Sequence, residues 1–377
     1  MAAERVEAVG ALVSAAGKPA RLEPILIDPP RAGEVLVRLV ASGICHSDHW
    51  AMQHGNWGAP FPMLLGHEGA GVVQSVGPGV RTPAPGDRVI LAWAMPCGTC
   101  RSCRMGRPRK CDHAWIQPPR IRRASTGEPL AGTLSLGTLA SHTVVHAAQA
   151  VPVPPGADLA RVCLLGCGAS TGVGAAVNTG QVQPGSTIAV IGLGGIGLAA
   201  LQGARIAGAA RLIAIDVVNA KLDLARDFGA TDGVDASVGD APAAVRALTD
   251  GEGVDVAFEA TGVPAVVSQA VAMLARGGVA VAIGVPPPSS QVTLDWSDGA
   301  GAAYPNKIEL RVTDGGDPIA EDFATWVDWS LDGRLDLDAM VTRELRLTDD
   351  DLEEGFRAML AGEVIRSVVR IAEPPRS

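Results

Sequence analysis

Cysteine is scarce in this chain, with seven residues in 377. A small and odd number excludes the dense disulfide framework of small secreted domains. Positive charge is also short, since 31 Lys and Arg face 40 Asp and Glu for a formal net charge of -9. That balance leaves no electrostatic footprint for nucleic acid, and no nucleic-acid partner is expected. Long apolar runs are missing too. The longest, "IAVIGLGGIGLAAL" at 188–201, falls short of the roughly 18 residues of a membrane span and contains four glycines. It reads instead as strand, turn and helix. The opening stretch "MAAERVEAVGALVSAAGKPARLEP" has acids early and no sustained apolar core, so no secretory signal and no membrane association are expected, and the expected location is the cytoplasm. Lysine is nearly absent while arginine and alanine are abundant, a bias that says nothing about function. There is no internal repeat or low-complexity tract.

What is present is length and a change of pattern. A chain of 377 residues exceeds the roughly 250–300 at which single cores stop growing, which predicts two domains. The first half is β-rich: "EVLVRLVASGI", "GAGVVQSVG" and "DRVILAW" are short β-branched runs bounded by Gly and Pro, as in a small barrel. The stretch "DHAWIQPPRIRRASTGEPLAGTLSLGTLA" is too broken by Pro, Gly and Arg to predict a regular element, and is expected to be a surface or pocket-rim loop. From about 186, strands and helices alternate through "GVAVAIGV", which predicts a parallel, doubly wound sheet and an α/β class overall. The closing "LEEGFRAMLAGEVIRSVVRI" reads as a helix followed by a strand.

Gly192, Gly194 and Gly197 form G-x-G-x-x-G directly after a strand and at the start of a helix, with Gly195 between them. Missing side chains let backbone N–H groups approach a pyrophosphate at a helix N-terminus. Asp216 ends the next strand at the distance expected for an acid that binds ribose hydroxyls and repels a 2′-phosphate, which favours NAD over NADP.

Four of the cysteines, Cys97, Cys100, Cys103 and Cys111, fall in one Arg-rich loop with the spacing C-x2-C-x2-C-x7-C. Four thiolates close a tetrahedral shell, which marks structural zinc, although an iron–sulfur cluster or free thiols have the same spacing. The chemistry then belongs elsewhere, to Cys45 in "GICHSDHW", His67-Glu68 in "LLGHEGAG" and Cys167 in "LLGCGAST". Cys, His and Cys make a three-ligand set that leaves a zinc position open, while each residue taken singly also fits a simple core role.

Together, "GHEGAG", "CGTCRSC" with its later Cys, "LLGCG" and "VIGLGGIG" resemble the zinc-dependent medium-chain alcohol dehydrogenases over nearly the whole chain. The resemblance implies a GroES-like catalytic domain (1–168), a Rossmann NAD-binding domain (169–308) and a C-terminal return to the first (309–377). It implies two zinc ions per subunit, one catalytic on Cys45, His67 and Cys167 and one structural on the four-cysteine loop. Asp48 would orient His67, Glu68 would lie beneath the metal, and Ser47 would accept the alcohol proton. His46 and Arg366 would meet the coenzyme pyrophosphate, Thr171 the nicotinamide, and Asp216 and Lys221 the adenosine ribose. Trp50 stands where relatives carry a relay His, with His49 beside it. Trp50, Trp57, Trp93 and Trp115 are the expected apolar walls of the substrate site.

The expected reaction is reversible hydride transfer between a small-molecule alcohol, primary or secondary, and NAD, in a homodimer. The branch that oxidises S-(hydroxymethyl)mycothiol is a second reading, because "GRPRKCD", the long loop to "LGTLASHTVVH" and "LLGCGASTGVGAAVNTG" resemble it, whereas a glutathione adduct is not expected, since Asn56-Trp57 and Ala114-Trp115 stand where glutathione-type relatives carry an acid and an Arg. Arg120, Arg122 and Arg123 are either contacts for an acidic substrate or a solvated face. A non-catalytic NAD- and zinc-binding scaffold is the alternative of another class.

Overall fold

The computed structural model describes residues 4–55, 60–111, 119–295 and 303–372. The chain divides into two compact units: Met1–Cys167 with Ile319–Asp332 and Leu337–Ser377, and Gly168–Pro318 with Gly333–Asp336. The return expected at 309 comes instead at Ile319. Residues Glu309–Val312 are still a strand of the second unit, paired in parallel with Leu274–Ala282.

The first unit is built on a closed barrel and a larger sheet. The barrel joins Val6–Val13, Arg21–Ile27, Ile121–Arg123, Pro129–Gly132 and Met63–Leu64. The seven-stranded sheet is centred on Glu34–Ile44, which pairs antiparallel with Glu68–Val76, with His142–His146 and with Arg366–Arg370. Leu12, Ile25, Leu39, Leu64 and Leu91 share one buried cluster, and Ile44, Met52, Leu65 and Phe356 belong to another. Each such side chain contributes about 1.5–3 kcal/mol on full burial.

Two expectations about the segment before residue 140 are corrected here. It is not irregular throughout, because Ile121–Arg123 and Pro129–Gly132 form a hairpin that completes the barrel. Strands of three and four residues are too short to show a period of two in sequence. Its arginines are not a free cationic patch either. Arg120 is 6% exposed and donates to Glu34 Oε2 at 3.0 Å, while Arg123 grips both carboxylate oxygens of Glu23 at 2.8 Å.

The second unit is a six-stranded parallel sheet whose spatial order places Thr187–Ile191 between Arg211–Asp216 and Val254–Glu259. Arg211–Asp216 is buried along nearly its whole length, as strands covered on both faces are. Among the described residues no single helix is long and apolar enough to cross a membrane.

Candidate active site and metal centres

Cys45 caps the helix His46–His54, and Asp48 is the third residue of that helix. Asp48 reaches back across the turn, accepting the Cys45 backbone N–H at 3.2 Å through Oδ2. Its Oδ1 accepts the Gly66 N–H at 3.1 Å and Nδ1 of His67 at 2.9 Å. One fully buried carboxylate thus fixes the backbone on both sides of the site and the ring between them. His67 precedes the strand Glu68–Val76, and Cys167 follows the short turn Cys163–Gly166.

Ligand atoms of Cys45, His67, Glu68 and Cys167 all lie within 4.8 Å of one another, and all four residues are buried. Because Nδ1 of His67 is held by Asp48, the other ring nitrogen faces the group, and Nε2 has no hydrogen-bond partner. A buried polar atom without a partner costs about 1–3 kcal/mol, so an atom aimed among two thiols is a donor prepared for a cation. The Cys45 thiol is held well below its usual range, chiefly by a hydrogen bond with Cys167 and then by His67, against its burial. Cys167 is pushed well up by the same bond and by burial. Burial opposes charge on His67, yet Asp48 and then Cys45 hold its pKa well above normal. Two thiols and one oriented imidazole, all buried, fit zinc.

Glu68 lies fully buried and pairs with Nη2 of Arg366, which is itself 6% exposed. Burial pushes the Glu68 carboxyl up to about 7, and the Arg366 charge acts in the opposite sense. Arg366, expected at the coenzyme, thus contacts Glu68 with its side chain, while its Nε has no partner. His46 is exposed and Ser47 partly exposed in the first turn of the helix. Trp50 stacks on His54 with ring centroids 4.9 Å apart, and Nε2 of His49 lies 3.4 Å from the Gln53 amide. Trp93 is partly buried against the barrel core. Trp57 and Trp115, with Asn56 and Ala114, lie outside the described residues.

The second cluster is Cys97, Cys100, Cys103 and Cys111, whose sulfurs also lie within 4.8 Å of one another. Backbone N–H groups turn inward onto the sulfurs: Cys100 donates to Cys97 at 3.3 Å, Cys103 to Cys100 at 3.4 Å and Cys97 to Cys111 at 3.4 Å. Despite a desolvation penalty, hydrogen bonds to its sulfur from Thr99 and then from the Cys100 N–H hold the Cys97 thiol down to about 6, while desolvation and the neighbouring Cys100 and Cys111 push Cys103 up to about 12. Inward N–H dipoles favour thiolates, which suits a closed tetrahedral site. Arg109 of this loop grips both carboxylate oxygens of Asp322, one at 2.9 Å, and so ties the loop to the helix Ala320–Leu331, a contact that the loop's own sequence does not signal.

In the second unit the glycine motif bends as the backbone argument requires. Gly192 has φ of 90°, Gly194 caps the helix Gly195–Ile206, and a Cβ on Gly197 would lie 1.9 Å from the Gly192 carbonyl oxygen. Asp216 accepts the Leu193 N–H at 2.8 Å and the Val218 N–H at 3.0 Å, placing its charge against the glycine turn. Lys221 is half-buried in the first turn of Asn219–Asp227, and Thr171 is buried within Gly168–Gly174.

Residues 31–155 match the alcohol dehydrogenase GroES-like domain, and residues 195–331 match the zinc-binding dehydrogenase domain. S-(hydroxymethyl)glutathione dehydrogenase of Escherichia coli is 37% identical over 369 residues, covering 96% of this chain and 98% of that protein. Alcohol dehydrogenase 1 of Trifolium repens is 33% identical over 374 residues and covers 95% of each. An alcohol dehydrogenase zinc-binding domain protein from Burkholderia ambifaria has a solved structure with a TM-score of 0.91 at 34% identity, covering 98% of this chain and 100% of that one. Benzyl alcohol dehydrogenase from Acinetobacter calcoaceticus gives 0.88 at 27% identity, covering 97% and 100%. With paired cysteine centres and both domains matched in order, the chain belongs to the zinc-dependent medium-chain alcohol dehydrogenase family.

Proposed function

We propose that the protein is an NAD-dependent alcohol dehydrogenase that moves a hydride reversibly between an alcohol, primary or secondary, and NAD, giving an aldehyde or ketone. The observation that carries this reading is the buried Cys45, His67 and Cys167 group with the partnerless His67 Nε2 at its centre. When bound, zinc would supply Lewis acidity toward the substrate oxygen and NAD the hydride acceptor. Asp48 keeps the imidazole of His67 in the one tautomer that presents Nε2. Glu68, paired with Arg366, places a buried carboxyl group beside the ligand set, and Cys97, Cys100, Cys103 and Cys111 hold a second, structural zinc.

Ser47, in the first turn and open to solvent, takes the substrate hydroxyl proton. With Trp50 stacked on His54, the proton then leaves through water and coenzyme rather than through a side-chain relay. Trp50 and Trp93 wall the substrate site. Gly192, Gly194, Gly195 and Gly197 admit the pyrophosphate. Thr171 packs by the nicotinamide, and Asp216 with Lys221 holds the ribose. Support for NAD over NADP comes from the Asp216 carboxylate and from the residues after it, Val217 at 62% and Val218 at 43% exposed, which bring no cation for a 2′-phosphate.

A homodimer is part of the reading. The strand Glu309–Val312 ends its sheet with Leu310 and Val312 exposed, an apolar edge suited to pairing with a second copy.

Oxidation of a hydroxymethyl-thiol adduct is a second reading, favoured by the 37% identity to an S-(hydroxymethyl)glutathione dehydrogenase. Reduction of NAD is measured with a panel of aliphatic, aromatic and terpenoid alcohols, and with formaldehyde plus mycothiol or glutathione. Turnover without thiol supports the first reading, and turnover that requires thiol supports the second.

A further inference from the structure

Glu259 ends the strand Val254–Glu259 and is fully buried, yet its carboxylate is used on one side only. Oε1 accepts three hydrogen bonds, from the Thr261 N–H at 2.6 Å, the Thr261 hydroxyl at 2.5 Å and the Gly262 N–H at 2.9 Å. Oε2 has no partner. Fold stability alone is a poor reason for such a residue, because a buried carboxylate with one idle oxygen is costly and an apolar side chain of the same size is often as stable there.

Its position supplies a better reason. Glu259 pairs with Ile191, the residue before the glycine turn, and with Ala282 on the other side. Its carbonyl oxygen accepts the Ile283 N–H at 2.8 Å and the Gly284 N–H at 3.1 Å. Three loops at the carboxyl ends of neighbouring strands meet around it at distances no side chain permits. A Cβ on Gly192 would lie 2.6 Å from Cγ2 of Thr261, and one on Gly284 would lie 2.0 Å from the Gly262 nitrogen. The carboxyl ends of strands in an open parallel sheet are where a dinucleotide binds.

We propose that Glu259 is a positioning residue for the coenzyme: by fixing the Thr261-Gly262 turn against Gly192, it sets the shape of the glycine loop without touching the ligand. This rests on the nicotinamide-dinucleotide reading above. Thr261 transmits the constraint, with its hydroxyl on Glu259, its oxygen accepting the Val263 N–H at 3.1 Å and its methyl facing Gly192.

The test compares wild type with Glu259→Gln, Glu259→Ala and Thr261→Val, measuring the Kd for NADH by nucleotide fluorescence, the Tm and the zinc content. Glu259→Gln keeps an acceptor oxygen for the turn, so its Kd stays at the wild-type value. Glu259→Ala raises Kd by about tenfold or more, and Thr261→Val by about threefold, both with zinc content unchanged. Should Glu259→Ala not fold, the contrast between Glu259→Gln and Thr261→Val decides. Variants that lower Tm but leave Kd unchanged overturn the proposal, as does a Gln variant as weak as Ala, which would make charge rather than geometry the operative property. Wild type that binds no NADH overturns the coenzyme reading and this proposal with it, whereas tight wild-type binding with unaffected variants overturns the proposal alone.

Discussion

Oδ1 of Asp48 sits 2.9 Å from Nδ1 of His67, with both side chains fully buried. The same carboxylate accepts backbone N–H groups from Cys45 and Gly66, so metal geometry and backbone geometry depend on a single residue. Asp48→Asn retains a hydrogen-bond acceptor but loses the charge, and groups of this kind are typically worth about 10–100-fold in metal affinity. Competition with a chelator should therefore strip one zinc from the variant at concentrations that leave wild type loaded. An unchanged zinc content would show that His67 does not need Asp48 to bind.

The four-cysteine loop should behave as a separate, structural centre. Cys103→Ser is expected to lower the zinc content by one per subunit and to lower Tm, because a closed thiolate site contributes folding energy directly. Arg109→Ala removes the Asp322 clamp without removing a ligand and should make the loop the first site cut by protease. Equal proteolysis of both proteins would mean that the clamp does not order the loop.

Coenzyme choice should follow Asp216. Replacing the acid by Ser removes a charge that repels a 2′-phosphate, and the ratio of kcat/KM for NAD to that for NADP should fall by about 10–100-fold, or ~1.4–2.7 kcal/mol. A ratio unmoved by Asp216→Ser would place the discrimination elsewhere.

Acid stability offers a prediction with a definite sign. Hydrogen bonds from Arg370 and then Arg161 hold Glu344 down to about 2, below its ordinary 4.5. Its contribution is full above 4.5 and is lost as pH falls toward 2. The Glu344 side chain is 38% exposed, so solvent screening limits the effect to about 1 kcal/mol or less. Denaturant titration should find Glu344→Gln less stable than wild type near neutral pH, with the gap closing as the pH drops below 4.5. A gap that widens in acid would reverse the sign.

Much of this was legible in the sequence because the chemistry comes in short local patterns. Gly192, Gly194 and Gly197 need only a strand before them and a helix after, and the four-cysteine spacing closes a shell within one loop. Cys45, His67 and Cys167 are different: nothing in their spacing brings them together, so residue type offered them only as a candidate set that resemblance to a family strengthened, and the structure places their ligand atoms within 4.8 Å of one another. The barrel strands Ile121–Arg123 and Pro129–Gly132 were hidden by their shortness, and Arg120 and Arg123 by acids far away in sequence. Glu259 carried only a faint signal, an acid closing an otherwise apolar strand in "VDVAFEATG". Its meaning depends on three loops that only the folded sheet assembles.

The most direct test is the reduction of NAD by the purified protein on the alcohol and thiol-adduct panel, repeated with His67→Ala and with zinc counted in both. Wild type should carry two zinc ions per subunit and turn over at least one substrate, while His67→Ala should lose one zinc and nearly all turnover with NADH binding intact. Wild type that binds NADH but carries only one zinc and oxidises nothing, or a His67→Ala variant that keeps its activity, would contradict a catalytic metal on Cys45, His67 and Cys167.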